Sequence, residues 1–400
     1  MKEQPVVALF IEGTYPWHRG GVSEWVHQYI HAFPELRFEV VQVVTEDEKE
    51  DKPRELVYTL APNITRFVRI TPPPQRENTW PDLATWYDTW EPMLSEIALN
   101  ATLVHVTNTG FAGWLGARFS AITGCPLILT EHALYWKEVE LGAVSLECGY
   151  HLPKSLKARK QLTDFFRMIA RVVYEQSSAV ISVSRTNLEP QKEYGAMHSG
   201  YIPNGVTERL FTVGDQRPHM RIVGKPVHIG WVGRCADIKN PLRFFDLVDG
   251  FRRKNINARF TMYLADAGED ELADKVRMLA VKFPEVELSW NESPVAAYKN
   301  WDALCITSKN ESQPLVLFEA LAAGVLPIGW QVGDANERFG FFVPPDTLVD
   351  VLIRMINNLW NKPGAWFDVL QDRRAYARKF HTWSNIFDQY RNLFAPLLVS

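Results

Sequence analysis

Short apolar runs recur along the chain, and helix-like segments fill the intervals between them. In the first half the runs are Val6–Ile11, Phe38–Val44, Leu103–Thr107, Leu127–Thr130 and Ala179–Ser184. In the second half they are Val227–Val232, Arg259–Leu264, Val286–Trp290, Ala303–Thr307, Val325–Gly329 and Phe341–Val343. Strands that alternate with helices in this way predict an α/β protein with parallel, doubly wound sheets.

The length of the chain and its linker-like segments predict two such domains. A chain of 400 residues with 46% hydrophobic content exceeds what one core usually supports. The segments Tyr201–Val206 and Gly214–Pro226 are the best linker candidates. We therefore predict Rossmann-like domains over 1–205 and 206–375. A helical segment over 376–400 is expected to cap the structure and is a candidate to pack back on the first domain.

Composition excludes several classes of protein. The net charge of −4, with no long run of like charges, argues against a nucleic-acid partner. The first apolar run is too short for a signal sequence, and no run approaches a membrane span, so we expect a soluble, cytoplasmic protein. Peripheral attachment at the inner membrane face stays open. The cysteines are scattered and lack the paired spacings of zinc or redox sites.

Two segments interrupt the regular alternation. In Trp80–Trp90, Trp86 and Trp90 share a helix face with Leu83, a stripe that is more often core than ligand platform. An acceptor or partner surface is the alternative there. Residues 137–167 form the second interruption, and their role is not predicted.

A carboxylate-bearing loop between a strand and a helix is the strongest chemical signal. The strand ends at Thr307, Glu311 follows in a polar loop, Pro314 fits the first turn of a helix, and Gly324 fits its end. An isolated pair of glutamates usually lies on a solvated helix face. The preceding strand and the proline start favour a site instead.

The helix in this segment is predicted to bind phosphate and to separate two carboxylates. Backbone N–H groups of Leu315 and Val316 would form an anion site at its N-terminus. Glu319 follows Glu311 by eight positions, about 12 Å of helix rise. That length suits a sugar, a diphosphate and a ribose laid end to end, with one carboxylate for the sugar hydroxyls and the other for the ribose hydroxyls.

Arg234 and Lys239 follow the first strand of the second domain, where a doubly wound sheet presents ligands. Two cations there can neutralise a diphosphate leaving group as its bond to the sugar breaks. Taken alone, an arginine and a lysine five positions apart in a loop are usually ordinary surface charges. Their position beside the glutamate segment favours the site.

Three weaker signals complete the candidate site. Gly20 and Gly21 precede a helix and allow backbone to approach a phosphate or sugar, although a plain turn also explains them. His132 follows an apolar strand, which places it at the edge of the expected cleft, although a lone histidine is more often structural. Backbone groups around Trp290 are expected to read the nucleobase.

Taken together, these segments resemble glycosyltransferase family 4, in the same order and over almost the whole chain. Glu311 and Glu319 resemble the E-x7-E motif of the family, and Arg234 with Lys239 resembles its diphosphate-binding pair. The glycine pair matches the turn that faces the donor, and His132 matches the histidine near the transferred sugar.

A narrower resemblance is to the PelF-type branch, which is associated with exopolysaccharide synthesis and UDP-glucose. Four stretches carry it, namely Glu12–Pro16, Gly20–Ser23, Thr130–His132 and Gln313–Val316. Two stretches depart from the pattern. Ala265–Asp270 holds one glycine where the family has a glycine-rich turn, and Ala133–Trp136 stands where a small residue followed by an arginine-containing stretch is more usual.

The resemblance implies a GT-B architecture, in which two Rossmann-like domains face each other across a cleft. It places 1–205 on the acceptor side and 206–375 on the donor side. It implies a retaining transferase that moves a hexose from a nucleotide diphosphate sugar, with UDP expected, to a saccharide or other hydroxyl acceptor. It implies no metal and no dedicated protein nucleophile, because protein cations carry the leaving charge. Rival interpretations are a GT-B sugar-nucleotide epimerase, a phosphorylase-like enzyme, and a noncatalytic nucleotide-sugar-binding subunit of a synthase complex.

Overall fold

The structure is a computed structural model that describes residues 4–13, 15–17, 20–44, 56–71, 94, 97, 100–142, 152–217 and 225–398. It divides into two compact units. The first comprises Met1–Pro203 and Phe387–Ser400, and the second comprises Asn204–Ile386. The predicted tryptophan segment Trp80–Trp90 lies outside the described residues, as do 143–151 of the second interruption.

The first unit contains a seven-stranded parallel sheet. Its strands are β1 (Val6–Glu12), β2 (Arg37–Val43), β3 (Ile64–Ile70), β4 (Leu103–Val106), β5 (Leu127–Glu131), β6 (Ala179–Ser182) and β7 (Ser199–Tyr201). The strand order is β3-β2-β1-β4-β5-β6-β7. Its helices are α1 (Gly21–Ala32), α2 (Phe111–Thr123), α3 (Tyr135–Leu141), α4 (Leu156–Gln176) and α5 (Leu188–Glu193).

The second unit contains a six-stranded parallel sheet. Its strands are β8 (Val227–Arg234), β9 (Ala258–Ala265), β10 (Val286–Trp290), β11 (Ala303–Ile306), β12 (Leu326–Trp330) and β13 (Phe341–Val343), in the order β10-β9-β8-β11-β12-β13. After the helices of the first unit, the chain continues with α6 (Glu208–Asp215), α7 (Leu242–Arg253), α8 (Asp270–Lys282), α9 (Leu315–Ala322), α10 (Val349–Trp360), α11 (Pro363–Phe380) and α12 (Trp383–Phe394). No helix within the described ranges is both long and apolar enough to cross a membrane.

The predicted α/β class with two parallel sheets is confirmed, and each predicted apolar run is a strand. The sequence did not predict β3 and β7, which are the two edge strands of the first sheet. An edge strand pairs on one side only and is less completely buried. β3 therefore mixes Arg66 and Arg69 with its apolar residues, and β7 has no apolar run at all.

The order of each sheet reverses at one point, which decides where a ligand fits. In the first sheet the reversal lies between β1 and β4, and in the second it lies between β8 and β11. The connections after two such strands diverge to opposite faces, which leaves a crevice at their carboxyl ends. A ligand site is therefore expected in the loops that follow β1, β4, β8 and β11.

The C-terminal helix α12 is divided between the units, at Ile386 and Phe387. In the second unit, the backbone of Val206 pairs with Thr382, and its N–H donates to the His381 carbonyl at 2.6 Å. In the first unit, the buried Tyr390 hydroxyl lies 3.0 Å from the Thr130 hydroxyl. Residues of the segment 376–400 therefore lie in both units, and the long segment of the first unit ends at Pro203.

Buried histidines make the stability of the first unit depend on pH. Burial lowers the pKa of His132 to about 3. Burial, and then the neighbouring His132, lower the pKa of His105 to about 3. The unfolded chain takes up these protons near pH 6.5 whereas the folded chain does not, so stability falls as the pH falls from about 6.5 to about 3.

We expect each of these histidines to steepen the fall in unfolding free energy by about 1.4 kcal/mol per pH unit in that window. Urea unfolding of the first unit between pH 7 and pH 4.5 measures the slope. His105→Gln keeps a hydrogen-bonding side chain beside Tyr29 and Thr130 and should flatten the slope by one histidine's share. The exposed His198→Gln is the control. An unchanged slope in His105→Gln would contradict the prediction.

Candidate functional site

The loops after β8 and β11 meet at the reversal of the second sheet. The Lys309 N–H donates to the Ile238 carbonyl at 2.8 Å. The Thr307 hydroxyl donates to the Lys239 carbonyl at 2.8 Å and itself accepts from the indole N–H of Trp231, also at 2.8 Å. These bonds hold together the two loops in which the sequence predicted the cations and the first glutamate.

An ion pair between Lys239 and Glu311 joins the two loops at their side chains. The Ser308 hydroxyl donates to the same carboxylate oxygen, Oε1, at 2.8 Å. The side chains of Glu311 and Lys239 are 13% and 25% exposed, so both are held in place yet remain accessible to a ligand. The structure therefore brings together two of the residues that the sequence predicted for donor binding.

Arg234 is the last residue of β8 and is partly exposed. Its guanidinium forms no ion pair or side-chain hydrogen bond with any residue in the described ranges. Other charged residues of these loops are already engaged, because Lys309 pairs with Asp237 at 2.6 Å and Glu269 accepts the Asp237 N–H. Arg234 is thus an uncommitted cation five residues before the paired Lys239.

The helix after Glu311 begins one residue later than predicted. Pro314, expected in the first turn, is the N-cap residue instead, because its ψ of 110° is extended. Its carbonyl accepts from the Leu317 N–H at 3.1 Å, which closes the first turn. Leu315 and Val316 are then the first two helical residues, whose N–H groups have no acceptor within the helix. Gly324, with φ of 67°, follows the end of the helix.

A third loop, after β12, packs against the glutamate loop and was not singled out from the sequence. Gly333 has φ of 53°, and a Cβ there would lie within 3.0 Å of the Ser312 and Glu311 carbonyl oxygens. The next residue, the buried Asp334, donates its N–H to the Ser312 carbonyl at 3.0 Å. The sequence signal was one glycine three residues after the end of a strand.

Trp290 ends β10, which β9 separates from β8. The Arg277 guanidinium lies 4.5 Å from the centre of the Trp290 ring. The next residue, Asn291, has a left-handed backbone, and its side chain accepts the Asp266 N–H at 3.0 Å. The structure thus fixes the backbone here through neighbours on β9 and its following loop, and nucleobase recognition at Trp290 stays a prediction.

In the first unit, Gly20 is the N-cap of α1 and Gly21 is its first residue. The φ of Gly20 is −173°, extended backbone that any residue adopts, so the turn itself does not require glycine. Close approach of a ligand remains the reason that the sequence suggested for these glycines. Thr14, His18 and Arg19 of the same segment lie outside the described residues.

His132 follows β5 and is 9% exposed. Its Nε2 is buried and has no hydrogen-bond partner among the described residues. Its ring packs edge-on against Trp25, with centroids 5.1 Å apart. The lowered pKa keeps the imidazole neutral at physiological pH. A neutral ring with one unsatisfied nitrogen suits hydrogen bonding to a ligand better than proton donation from an imidazolium.

The residue before His132, the fully buried Glu131, is held by three donors. They are the Thr109 hydroxyl at 2.5 Å, the Tyr174 hydroxyl at 2.7 Å and the Gln191 amide at 2.7 Å. Burial raises the pKa of Glu131, and these hydrogen bonds oppose that effect. From the sequence, Glu131 drew attention only as part of the stretch Thr130–His132. In the structure, the Glu131 side chain anchors the backbone next to His132.

The reversal point of the first sheet is occupied by the protein's own carboxylate. Glu12 accepts the Ala112 N–H at 2.8 Å in the first turn of α2, and its other oxygen accepts the Tyr135 hydroxyl at 3.0 Å. The Asn108 side chain accepts the Gly110 N–H at 2.9 Å at the same helix end. A phosphate therefore fits the second sheet, where cations lie at the corresponding point, better than the first.

Comparison with known proteins agrees with this division. The family described as "Domain of unknown function (DUF3492)" matches residues 5–83 and 79–199, and the family "Glycosyl transferases group 1" matches residues 226–362. Among curated proteins, none matches the sequence significantly. The second unit therefore carries the glycosyltransferase signature.

Several solved structures are similar to this chain in fold. Sucrose-phosphate synthase from Thermosynechococcus elongatus is 18% identical, with a TM-score of 0.73 over 99% of this chain and 100% of that chain. HepE from Anabaena, solved in complex with UDP-glucose, is 15% identical, with a TM-score of 0.67 over 98% and 100%. Starch synthase IV from Arabidopsis thaliana, bound to ADP and acarbose, is 13% identical, with a TM-score of 0.58 over 99% and 100%.

The two parallel-sheet α/β units match the GT-B glycosyltransferase fold, as predicted. The group 1 match over the second unit identifies the chain as a glycosyltransferase of the GT-B type. The predictions of fold and of enzyme class are therefore confirmed.

Proposed function

We propose that this glycosyltransferase belongs to family 4, nearest the PelF-type branch, and that it retains the configuration of the sugar it transfers. The substrate is a hexose on a nucleotide diphosphate, with UDP as the nucleotide, and the acceptor is a saccharide or other hydroxyl. Polysaccharide or glycoconjugate synthesis is the setting, in the cytoplasm or at the inner membrane face. The order of the motifs along the chain supports the family assignment.

One observation carries the proposal of a diphosphate donor. Arg234 ends β8, Lys239 lies in the loop after β8, and Glu311 lies in the loop after β11. These two strands flank the reversal of the sheet. Cations and a hydroxyl-binding carboxylate at one crevice suit a charged diphosphate joined to a sugar. The first two N–H groups of α9 add donors for phosphate oxygens.

The roles of these residues follow from the charge that develops in the reaction. The bond between the anomeric carbon and the diphosphate oxygen breaks, and the acceptor oxygen bonds to that carbon on the same face. The acceptor proton passes to the departing phosphate. Arg234 and Lys239 stabilise the growing negative charge, and Glu311 accepts hydrogen bonds from the sugar hydroxyls. Glu319 accepts hydrogen bonds from the ribose.

Neutral His132 is proposed to bind a hydroxyl of the transferred sugar through its unsatisfied Nε2. Gly20 and Gly21 are proposed to let backbone approach the donor. The proposal includes no metal ion, because protein cations neutralise the diphosphate.

Nucleotide binding tests the proposal first. We expect calorimetric titration in EDTA to show binding of UDP and much weaker binding of GDP and ADP. ADP is an informative competitor, because starch synthase IV, a structural neighbour, was solved with ADP. Failure of folded protein to bind any of the three nucleotides would contradict the proposal, and selective ADP binding would correct the nucleobase.

Incubation of each UDP-hexose alone, and then with saccharide acceptors, separates transfer from the rival reactions. A sugar nucleotide that is altered without acceptor indicates an epimerase. A sugar–acceptor product with the anomeric configuration of the donor supports a retaining transferase.

A further inference from the structure

Tyr298 lies between β10 and β11 in a short 3-10 helix, Tyr298–Asn300, and is completely buried. Its ring packs edge-on against the buried Trp301, with centroids 4.9 Å apart. Its carbonyl accepts from the Arg217 guanidinium at 2.7 Å. The ring and the backbone of Tyr298 are therefore both fixed by neighbours in the second unit.

The Tyr298 hydroxyl donates to Oε2 of Glu319 at 2.8 Å. Glu319 lies in the second turn of α9 and is partly exposed, so a buried donor holds a carboxylate that solvent still reaches. Burial, and then the Glu319 carboxylate, raise the pKa of Tyr298 well above its usual range. The hydroxyl therefore keeps its proton and remains a donor at every pH of practical interest.

We propose that Tyr298 is a positioning residue that holds the Glu319 carboxylate in the orientation in which it accepts the ribose hydroxyls. The enzyme's preference for ribonucleotides over deoxyribonucleotides then depends on Tyr298. This inference rests on the ribose role of Glu319 in the proposed function.

The physical basis is the geometry of the acceptor. An ionised carboxylate accepts hydrogen bonds at both oxygens and donates none, so a vicinal diol can bond to it only if its oxygens face the hydroxyls. A glutamate that is free to rotate loses conformational entropy when it binds. The fixed Tyr298 hydroxyl, bonded to one carboxylate oxygen, restricts this rotation before the nucleotide binds. A 2′-deoxyribose lacks the 2′-hydroxyl and therefore gains less from the fixed carboxylate.

Tyr298→Phe removes the hydroxyl and leaves the ring in its packing. We expect wild-type protein to bind UDP more tightly than 2′-deoxy-UDP in calorimetric titrations. In Tyr298→Phe, we expect UDP to bind about tenfold more weakly, as loss of one ordered hydrogen bond to a charged group predicts, and 2′-deoxy-UDP to bind almost as before. The ratio of the two affinities should therefore fall by nearly the same factor.

Tyr263→Phe is the matched control. The Tyr263 ring packs against the same Trp301, with centroids 5.7 Å apart, and its hydroxyl makes no hydrogen bond with a residue in the described ranges. This variant should leave both affinities unchanged. Thermal unfolding of both variants reports whether packing has been preserved.

The outcomes separate the inference from the proposal beneath it. Equal weakening of both nucleotides in Tyr298→Phe would indicate a packing effect and overturn the inference. Loss of the ribose preference in Glu319→Ala but not in Tyr298→Phe would do the same while leaving the ribose role of Glu319 intact. Equal binding of UDP and 2′-deoxy-UDP by wild-type protein would overturn that role, and the inference with it.

Discussion

Replacement of Arg234 by alanine is expected to lower kcat by roughly 10²–10³, the usual cost of removing one preorganised electrostatic contact to a transition state. Arg234 forms no ion pair within the described ranges, so its removal leaves no partner charge uncompensated and the protein should remain folded. Because the charge on the diphosphate grows as the glycosidic bond breaks, kcat should fall more than KM rises. Steady-state kinetics with a UDP-hexose measures both.

Two further variants at arginine positions interpret this result. Arg354 is exposed on α10, and Arg354→Ala matches the loss of charge away from the site, so its kcat should be unchanged. Arg234→Lys keeps a cation but loses the planar, bidentate guanidinium, and should recover only part of the rate. A near-normal kcat in Arg234→Ala would remove this residue from the proposed mechanism.

The second large effect is expected at a residue without a functional group. Gly333→Ala introduces a Cβ at a left-handed position, where it would lie within 3.0 Å of the backbone oxygens of Glu311 and Ser312. The loop after β11 must then move, and Glu311 with it. A displacement of about 1 Å in a positioning group costs on the order of 10²-fold in rate. The strained backbone itself costs roughly 1–3 kcal/mol of stability.

Activity and thermal unfolding of Gly333→Ala, measured together, distinguish displacement from unfolding, since only displacement lowers the rate in protein that is still folded. Gly364→Ala is the matched control, because no atom lies within 4 Å of the Cβ it would add near the start of α11. A Gly333→Ala enzyme with wild-type activity and stability would show that the two loops are not coupled.

The sequence predicted most of the fold because buried parallel strands are continuous apolar runs. It failed at β3 and β7, where pairing on one side only relaxes that requirement. It also started the helix one residue too early, at Pro314, since the extended ψ that makes this proline an N-cap cannot be deduced from composition.

The candidate site was predicted as a set of residues, not as a set of contacts. Lys239 and Glu311 were both predicted, but their direct ion pair depends on how two distant loops meet. Tyr298 was missed because its proposed role depends on the hydrogen bond from its hydroxyl to Glu319. Gly333 was missed because its role depends on the absence of a side chain. Neither effect leaves a charged or periodic signal in the sequence.

The division of α12 between the units has a consequence for the order in which the protein matures on the ribosome. Tyr390 and Phe394 are buried in the first unit, where their rings contact Tyr29 and His105. These two residues are synthesised only after the entire second unit. At elongation rates of about 5–20 residues per second, the first unit waits on the order of ten seconds or more for the last piece of its core. The segment translated first is therefore completed last, and a nascent chain that stalls within the second unit carries a first unit with an open aromatic core.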